Sequence, residues 1–250
     1  MKAASGRRRA SHGGHGASGD TDPNWSDVVL LCHCEGTDEG TTFTDDSDSA
    51  HSLTAVGNAN TEADQYKWGS TSAQGDGFGD KITAPDGTDF RFTTSGGAYT
   101  IEMWVRLNSL AATNVYFGRS TGVSGWRSGD GIHYLLFSQS STMYYQFWTS
   151  GTSPNTVSGS ISGKSANTWY HIAASYDGTT HELYFDGTRL GTSTATLNNP
   201  GTSSYTVAFG GSGVSGHTFS GYIDDVRVTN GTGRYTGATI TVPTGPFPDS

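Results

Sequence analysis

The sequence is short of cysteine, methionine and charge: two cysteines, three methionines and 15% charged residues in 250 positions. Each shortage removes a class of protein. Two cysteines exclude a disulfide-stapled scaffold. Cys32 and Cys34 sit one residue apart, too far along an extended strand to bridge each other without distortion, so both read as free buried thiols of a chain folded in a reducing compartment. No apolar run reaches the ~20 residues of a membrane span, which predicts no membrane insertion. The opening MKAASGRRRASHGG lacks the apolar core of a signal peptide. Long helical periodicity is missing, which excludes a bundle. Neither a Gly-x-Ser-x-Gly elbow nor a His-Glu-x-x-His pair occurs, which removes two common hydrolase designs.

Positive charge is scarce and unevenly placed. Residues 1–24 carry Lys2, Arg7, Arg8 and Arg9 against Asp20 and Asp22, a net of +2, which leaves −11 on the remainder of a chain whose total is −9. An acidic body argues against nucleic acid as its ligand, because phosphate contacts need a basic face. Residues 1–24 are low in complexity and hold too little apolar surface to fold alone. They read as a flexible basic Gly/Ser-rich arm whose Arg7, Arg8 and Arg9 anchor it to a partner; the bland alternative is an unengaged tail. Residues 25–250 form one domain, with no break in composition to suggest a second core.

What the chain has in quantity is glycine (36 residues), serine, threonine and aromatics, the composition of short strands and tight turns. Its organising stretch is WYHIAASYDGTTHELYFDGTRL, Trp169 to Leu190. Residues alternate from Trp169 to Tyr176 and again from His181 to Phe185, so one set of side chains enters a core and the other faces outward. Asp177-Gly178-Thr179-Thr180 and Asp186-Gly187 are hairpin turns. The stretch predicts a three-stranded meander at the centre of an all-β domain. It resembles the central hairpins of laminin-G-like domains of the concanavalin A-like lectin type. Two further motifs fit that resemblance in order: YTIEMWVR, Tyr99 to Arg106, and the closing strand GYIDDVRV, Gly221 to Val228. The resemblance spans roughly Val28 to Pro248 and implies a two-sheet antiparallel β-sandwich, a jelly roll. It leaves function open, since the fold hosts lectins, adhesion modules, hydrolases and structural domains.

Several stretches bear on function. Val28 to Cys34 reads as a buried strand. Asp38, Glu39, Asp45, Asp46 and Asp48 crowd the following loop, and oxygen-rich loops suit Ca²⁺. The resemblance implies a structural Ca²⁺ joining this loop to the closing strand through Asp45 and Asp224. A solvated acidic loop is the stronger alternative, because EF-hand spacing is missing. For Asp224, backbone N–H groups or an ion pair with Arg227 are alternatives to a metal. Glu102 stands on a strand where jelly-roll glucanases carry paired carboxylates, but no second carboxylate follows it, so the chain is read as non-enzymatic. The aromatic-rich hairpin Ile132 to Thr149 and the Gly-flanked loop before it place Trp126, Tyr144 and Trp148 near Asp130 and Gln146. Rings that stack on sugar C–H faces, beside amides and carboxylates that bind hydroxyls, are what a carbohydrate site needs. The alternative is that Tyr144 and Trp148 are core.

Domains resembling this one recur in phage tail and head proteins. Together with the basic arm and reduced thiols, the resemblance implies a virion surface protein made in the host cytoplasm, a capsid decoration or a tail or fibre component. Its partners would be other virion proteins through the arm, host or environmental glycans through the sandwich, and further copies of itself in a homo-oligomer. A carbohydrate-binding or adhesion module of a bacterial surface protein is the second reading and a glycoside hydrolase the third.

Overall fold

The computed structural model describes residues 21–93, 97–121, 132–148, 154–197, 205–214 and 216–250. Among them are fifteen strands and two single turns of 3-10 helix. The strands build two antiparallel sheets packed face to face, as the laminin-G-like resemblance implies.

The first sheet runs β13 (Thr188–Ser193), β12 (His181–Phe185), β11 (Trp169–Tyr176), β6 (Ala98–Leu107), β15 (Ser220–Gly231), β4 (Ser72–Asp76) and β3 (Asn60–Glu62). β1 (Val28–Cys32) joins β15 beyond the end of β4. The second sheet runs β10 (Asn155–Ser160), β9 (Thr142–Phe147), β8 (Ile132–Gln139), β7 (Asn114–Ser120), β14 (Thr206–Phe209), β5 (Lys81–Pro85) and β2 (Thr54–Val56). The expected meander exists as β11–β12–β13, but it forms one edge of the first sheet; its centre belongs to β6 and β15.

Alternation explains the layering. Ile101, Met103 and Val105 of β6 enter the shared core with Ile172 and Ala174 of β11 and Ile223 of β15, and meet Tyr134, Leu136, Tyr145 and Phe147 of the second sheet. Burying each such side chain is worth roughly 1.5–3 kcal/mol. The turns follow their residues. Asp186 and Gly187 both have positive φ (49° and 80°), the type I′ geometry that Asp-Gly favours. Asp177 Oδ1 accepts the backbone N–H of Thr179 and Thr180, each at 2.8 Å. The β8–β9 hairpin turns instead on Ser140 and Ser141 at φ 51° and 56°, a left-handed pair without glycine. Their N–H groups donate to Leu110 and Ala111 carbonyls, which holds this costly conformation.

One irregularity shapes everything outside the core. Between Asp224 and Arg227, β15 carries a bulge opposite Trp104 and Glu102, with Asp225 at φ 53°. Three residues on β15 thus span two on β6, and Asp224 and Arg227 both face outward.

Candidate functional site

The outer face of the first sheet is divided. Over one half lie residues 21–27 and the C-terminal segment, seated on a buried ionic network. Glu102 is fully buried, and its Oε1 accepts from Arg227 Nη2 at 2.8 Å. Its Oε2 accepts from His171 Nε2 at 3.0 Å and from the Tyr235 hydroxyl at 2.6 Å. Asp22 completes the network, 3.0 Å from Arg227 Nη1 and 2.7 Å from Arg234 Nη2. Burial pushes the Glu102 carboxyl up, but the charges of Arg227, His171 and Arg234 and the His171 hydrogen bond outweigh it and hold the group well below the usual carboxylate range. Phe247 lies over the Arg227 guanidinium at 3.9 Å and packs with Val28, Leu31 and Trp25. A carboxylate so paired and roofed has neither the raised pKa nor the substrate access of a general acid. Residues 21–24, assigned to the arm from sequence, run along the sandwich instead: Asp22 is buried in this network and its N–H donates to the Ser250 carbonyl at 2.8 Å. Arg7, Arg8 and Arg9 lie outside the described residues.

The proposed calcium pair does not fit. Asp45 Oδ1 accepts from the backbone N–H of Leu31 and Ser47, each at 3.0 Å, and Oδ2 from that of His51 at 2.8 Å. Asp224 Oδ2 accepts from the N–H of Lys67 at 2.7 Å and of Trp68 at 3.0 Å. Its other oxygen is buried without a hydrogen-bond partner, and burial with the neighbouring charge of Asp225 raises this carboxyl well above its ordinary value. Among the described residues no three His, Cys, Asp or Glu side chains gather as a cation site. Asp45 is therefore a loop organiser and Asp224 a bracket for the segment at Lys67. Arg227, offered as the ion-pair partner of Asp224, binds Glu102 and Asp22 instead.

Near the bulge, Asp225 Oδ1 meets His33 Nδ1 at 2.6 Å and Oδ2 accepts from the Phe247 N–H at 2.7 Å. Burial alone would lower the His33 pKa, but the hydrogen bond and charge of Asp225 raise it. Cys32 and Cys34 are free and buried, as expected. Their sulfurs nevertheless approach to 3.8 Å, because the strand ends at Cys32 and Cys34 turns left-handed at φ 56°.

The carbohydrate candidates fall on the second sheet. Met143, Tyr145 and Phe147 point into the core, so Tyr144 and Gln146 face outward, followed by Trp148 on the same side. Tyr144 and Gln146 are half-buried; Tyr144 stacks on Phe137 with centroids 4.8 Å apart and planes 12° apart. Trp148 is 4% exposed and packs with Val115, Ile132, Leu135 and Val214. As a sugar-stacking surface Trp148 is thus overruled: it is a buried ring on the outer side of the sheet, in a cluster against which Tyr144 packs. Its indole N–H has no hydrogen-bond partner. Trp126 and Asp130 lie outside the described residues.

Sequence reasoning missed a second ionic cluster, at the end of the second sheet where β5 and β7 finish and β8 and β14 begin. Arg119 is fully buried, binds Asp86 through Nε at 2.7 Å and Nη2 at 3.0 Å, donates to His133 Nδ1 at 2.8 Å, and lies 4.0 Å over the Tyr205 ring. Nothing in the alternation of NVYFGRS marks Arg119 as an inward side chain, because a bulge near Tyr116 and another near Ser120 shift the register.

Residues 74–233 match a laminin-G-type family model described as the concanavalin A-like lectin/glucanases superfamily. No curated protein matches the sequence. Among solved structures, the chain is similar to the receptor-binding domain of botulinum neurotoxin C/D mosaic serotype (TM-score 0.62, 10% identity, 84% of this chain and 49% of that one). It is also similar to the binding domain of botulinum neurotoxin DC in complex with SialylT (0.60, 12%, 83% and 49%). A third likeness is to the binding domain of Paraclostridial Mosquitocidal Protein 1 (0.60, 10%, 84% and 50%). The chain spans about half the length of each, and identities this low show a shared fold alone. With more than half its length matched by the family model, and the two-sheet jelly roll in place, the chain belongs to the concanavalin A-like lectin/glucanases superfamily.

Proposed function

We propose that this chain is a non-catalytic, glycan-binding jelly-roll domain displayed on a virion surface and tethered by its N-terminal arm. The observation that carries the binding reading is the outer face of β9, where the ring of Tyr144 and the amide of Gln146 stand half-buried on one side of the strand, in line with Trp148. A flat ring beside a primary amide offers stacking to a sugar face and hydrogen bonds to its hydroxyls. Glu102 supports the non-catalytic part, since it is spent in the ionic network and no second carboxylate on β6 completes a hydrolytic pair. The binding domain of botulinum neurotoxin DC, which shares the fold, has been solved in complex with SialylT.

The test is a glycan array probed with the wild-type domain and with Tyr144→Ala. Retention of defined glycans that Tyr144→Ala weakens by about tenfold supports the reading; wild-type protein that retains none overturns it. A reducing-sugar assay on mixed polysaccharides should show no turnover. For the tether, a chain lacking residues 1–20, which spares Asp22, should fail to co-sediment with particles; undiminished co-sedimentation would overturn that part.

A further inference from the structure

The uncovered half of the first sheet's outer face carries a second feature that the β9 platform does not explain. Five neighbouring strands place Asn60, Gln74, Tyr222, Arg106 and Trp169 in direct register, one beside the next. Their chain neighbours Ala73, Ile223, Val105 and Tyr170 enter the core, so this row faces outward, and all five are half-exposed. With strands about 4.8 Å apart, Trp169 and Tyr222 stand about 10 Å apart with Arg106 between them. Gln74 Nε2 donates to the Tyr222 hydroxyl at 3.2 Å, and the Arg106 guanidinium lies 5.5 Å from the Tyr222 ring centroid.

The charge on this row is out of place. Of the six described arginines, Arg91, Arg119, Arg189, Arg227 and Arg234 each have a carboxylate oxygen within 3.3 Å. Arg106 has none among the described residues; it donates only to the neutral Asn167 Oδ1, at 3.3 Å. Lys67 is similarly free of carboxylates there. Its ammonium sits 4.8 Å from the Trp68 ring centroid and 4.0 Å from that of Trp104, which stands two residues along β6 from Arg106 on the same face. In a chain of net charge −9, two neighbouring cations resting on aromatic rings and lacking counter-ions among the described residues are complementary to an anion supplied from outside.

We propose that this row binds oligosaccharides that carry carboxylate groups. Arg106 and Lys67 receive the carboxylate, Tyr222 and Trp169 stack on sugar faces, and the Asn60 and Gln74 amides bind hydroxyls. The inference rests on the reading of the chain as a glycan-binding domain and adds a second site with its ligand class. Arg106 presents the planar donor fork that suits a carboxylate, and the row is long enough for more than one sugar ring.

The test is an array that pairs uronate and sialyl oligosaccharides with their neutral methyl esters, probed with wild type, Arg106→Gln, Arg106→Lys and Lys67→Gln. The expected result is a preference for acid over ester that Arg106→Gln reduces about tenfold, that Arg106→Lys, which keeps the charge but loses the fork, reduces by less, and that fades with added salt. Thermal melts within about 3 °C of wild type for this half-exposed residue establish that the variants are folded. Equal retention of acid and ester by the wild type, or acid preference undiminished in both Arg106→Gln and Lys67→Gln, overturns the proposal. If glycans are retained with no acid preference and Tyr144→Ala weakens them, the binding reading stands and this site falls; if no glycan is retained, both fall.

Discussion

Removing the charge of Glu102 tests the central claim about what seats the chain's ends on the first sheet. Glu102→Gln keeps the shape but leaves Arg227 and Arg234 to share the single carboxylate of Asp22. Breaking one partner out of a buried ion pair costs about 3–5 kcal/mol. Because Asp22 remains, the lower end applies, about 3 kcal/mol, which for a domain of this size lowers Tm by roughly 6–12 °C. The pH dependence supplies an independent sign. An unfolded Glu titrates near 4.5 while the folded group lies lower, so its stabilisation is complete above 4.5 and is lost as pH falls through the folded value. Urea unfolding of wild type should therefore show a decline in stability below about pH 4.5, and Glu102→Gln should lack that component. Calorimetry showing a Tm loss under about 2 °C, or acid profiles of the same slope for both proteins, would refute the reasoning.

Three further outcomes follow from single contacts. Asp225→Asn keeps a residue tolerant of left-handed φ but removes the charged partner of His33, costing about 2 kcal/mol at pH 5.5. Because the folded His33 pKa is raised, that stabilisation is present below the unfolded value of 6.5 and disappears as pH rises through the folded one, so urea midpoints of the two proteins should converge toward pH 9. Gly221→Ala should cost about 3 kcal/mol, because φ is 143° and a Cβ would collide with the Arg106 carbonyl; an unchanged melt would contradict that geometry. Replacing Ser140-Ser141 by Asn-Gly should raise stability by about 1 kcal/mol, since both positions are left-handed, and a lower Tm would disprove the turn assignment.

Much of the architecture was legible because it rests on local periodicity. The alternation of YTIEMWVR and WYHIAASY, and the two Asp-Gly-type turns, specify which side chains face inward before any partner strand is known. The same alternation placed Tyr144, Gln146 and Trp148 on one side of a strand. It could not separate a half-exposed Tyr144 from a buried Trp148, since both lie on the outer side and what covers that side comes from distant parts of the chain. The calcium reading failed for a related reason. A cluster of acidic letters does not reveal that Asp45 and Asp224 already accept backbone N–H groups from elsewhere.

By itself, then, the sequence determined an all-β meander, buried free thiols and a chain without a paired-carboxylate strand, all consequences of spacing along the backbone, while the two-sheet jelly roll came from its resemblance to laminin-G-like domains. Only the tertiary structure decided who neutralises whom. Glu102, Arg227, Arg234 and Asp22 are up to 212 positions apart, and the bulge at Asp225 turns Arg227 outward to meet the others. Among the described residues Arg106, unlike the other arginines, has no carboxylate oxygen in reach. Charge pairing depends on distances of a few ångströms between elements brought together late in the fold, and no local pattern encodes it.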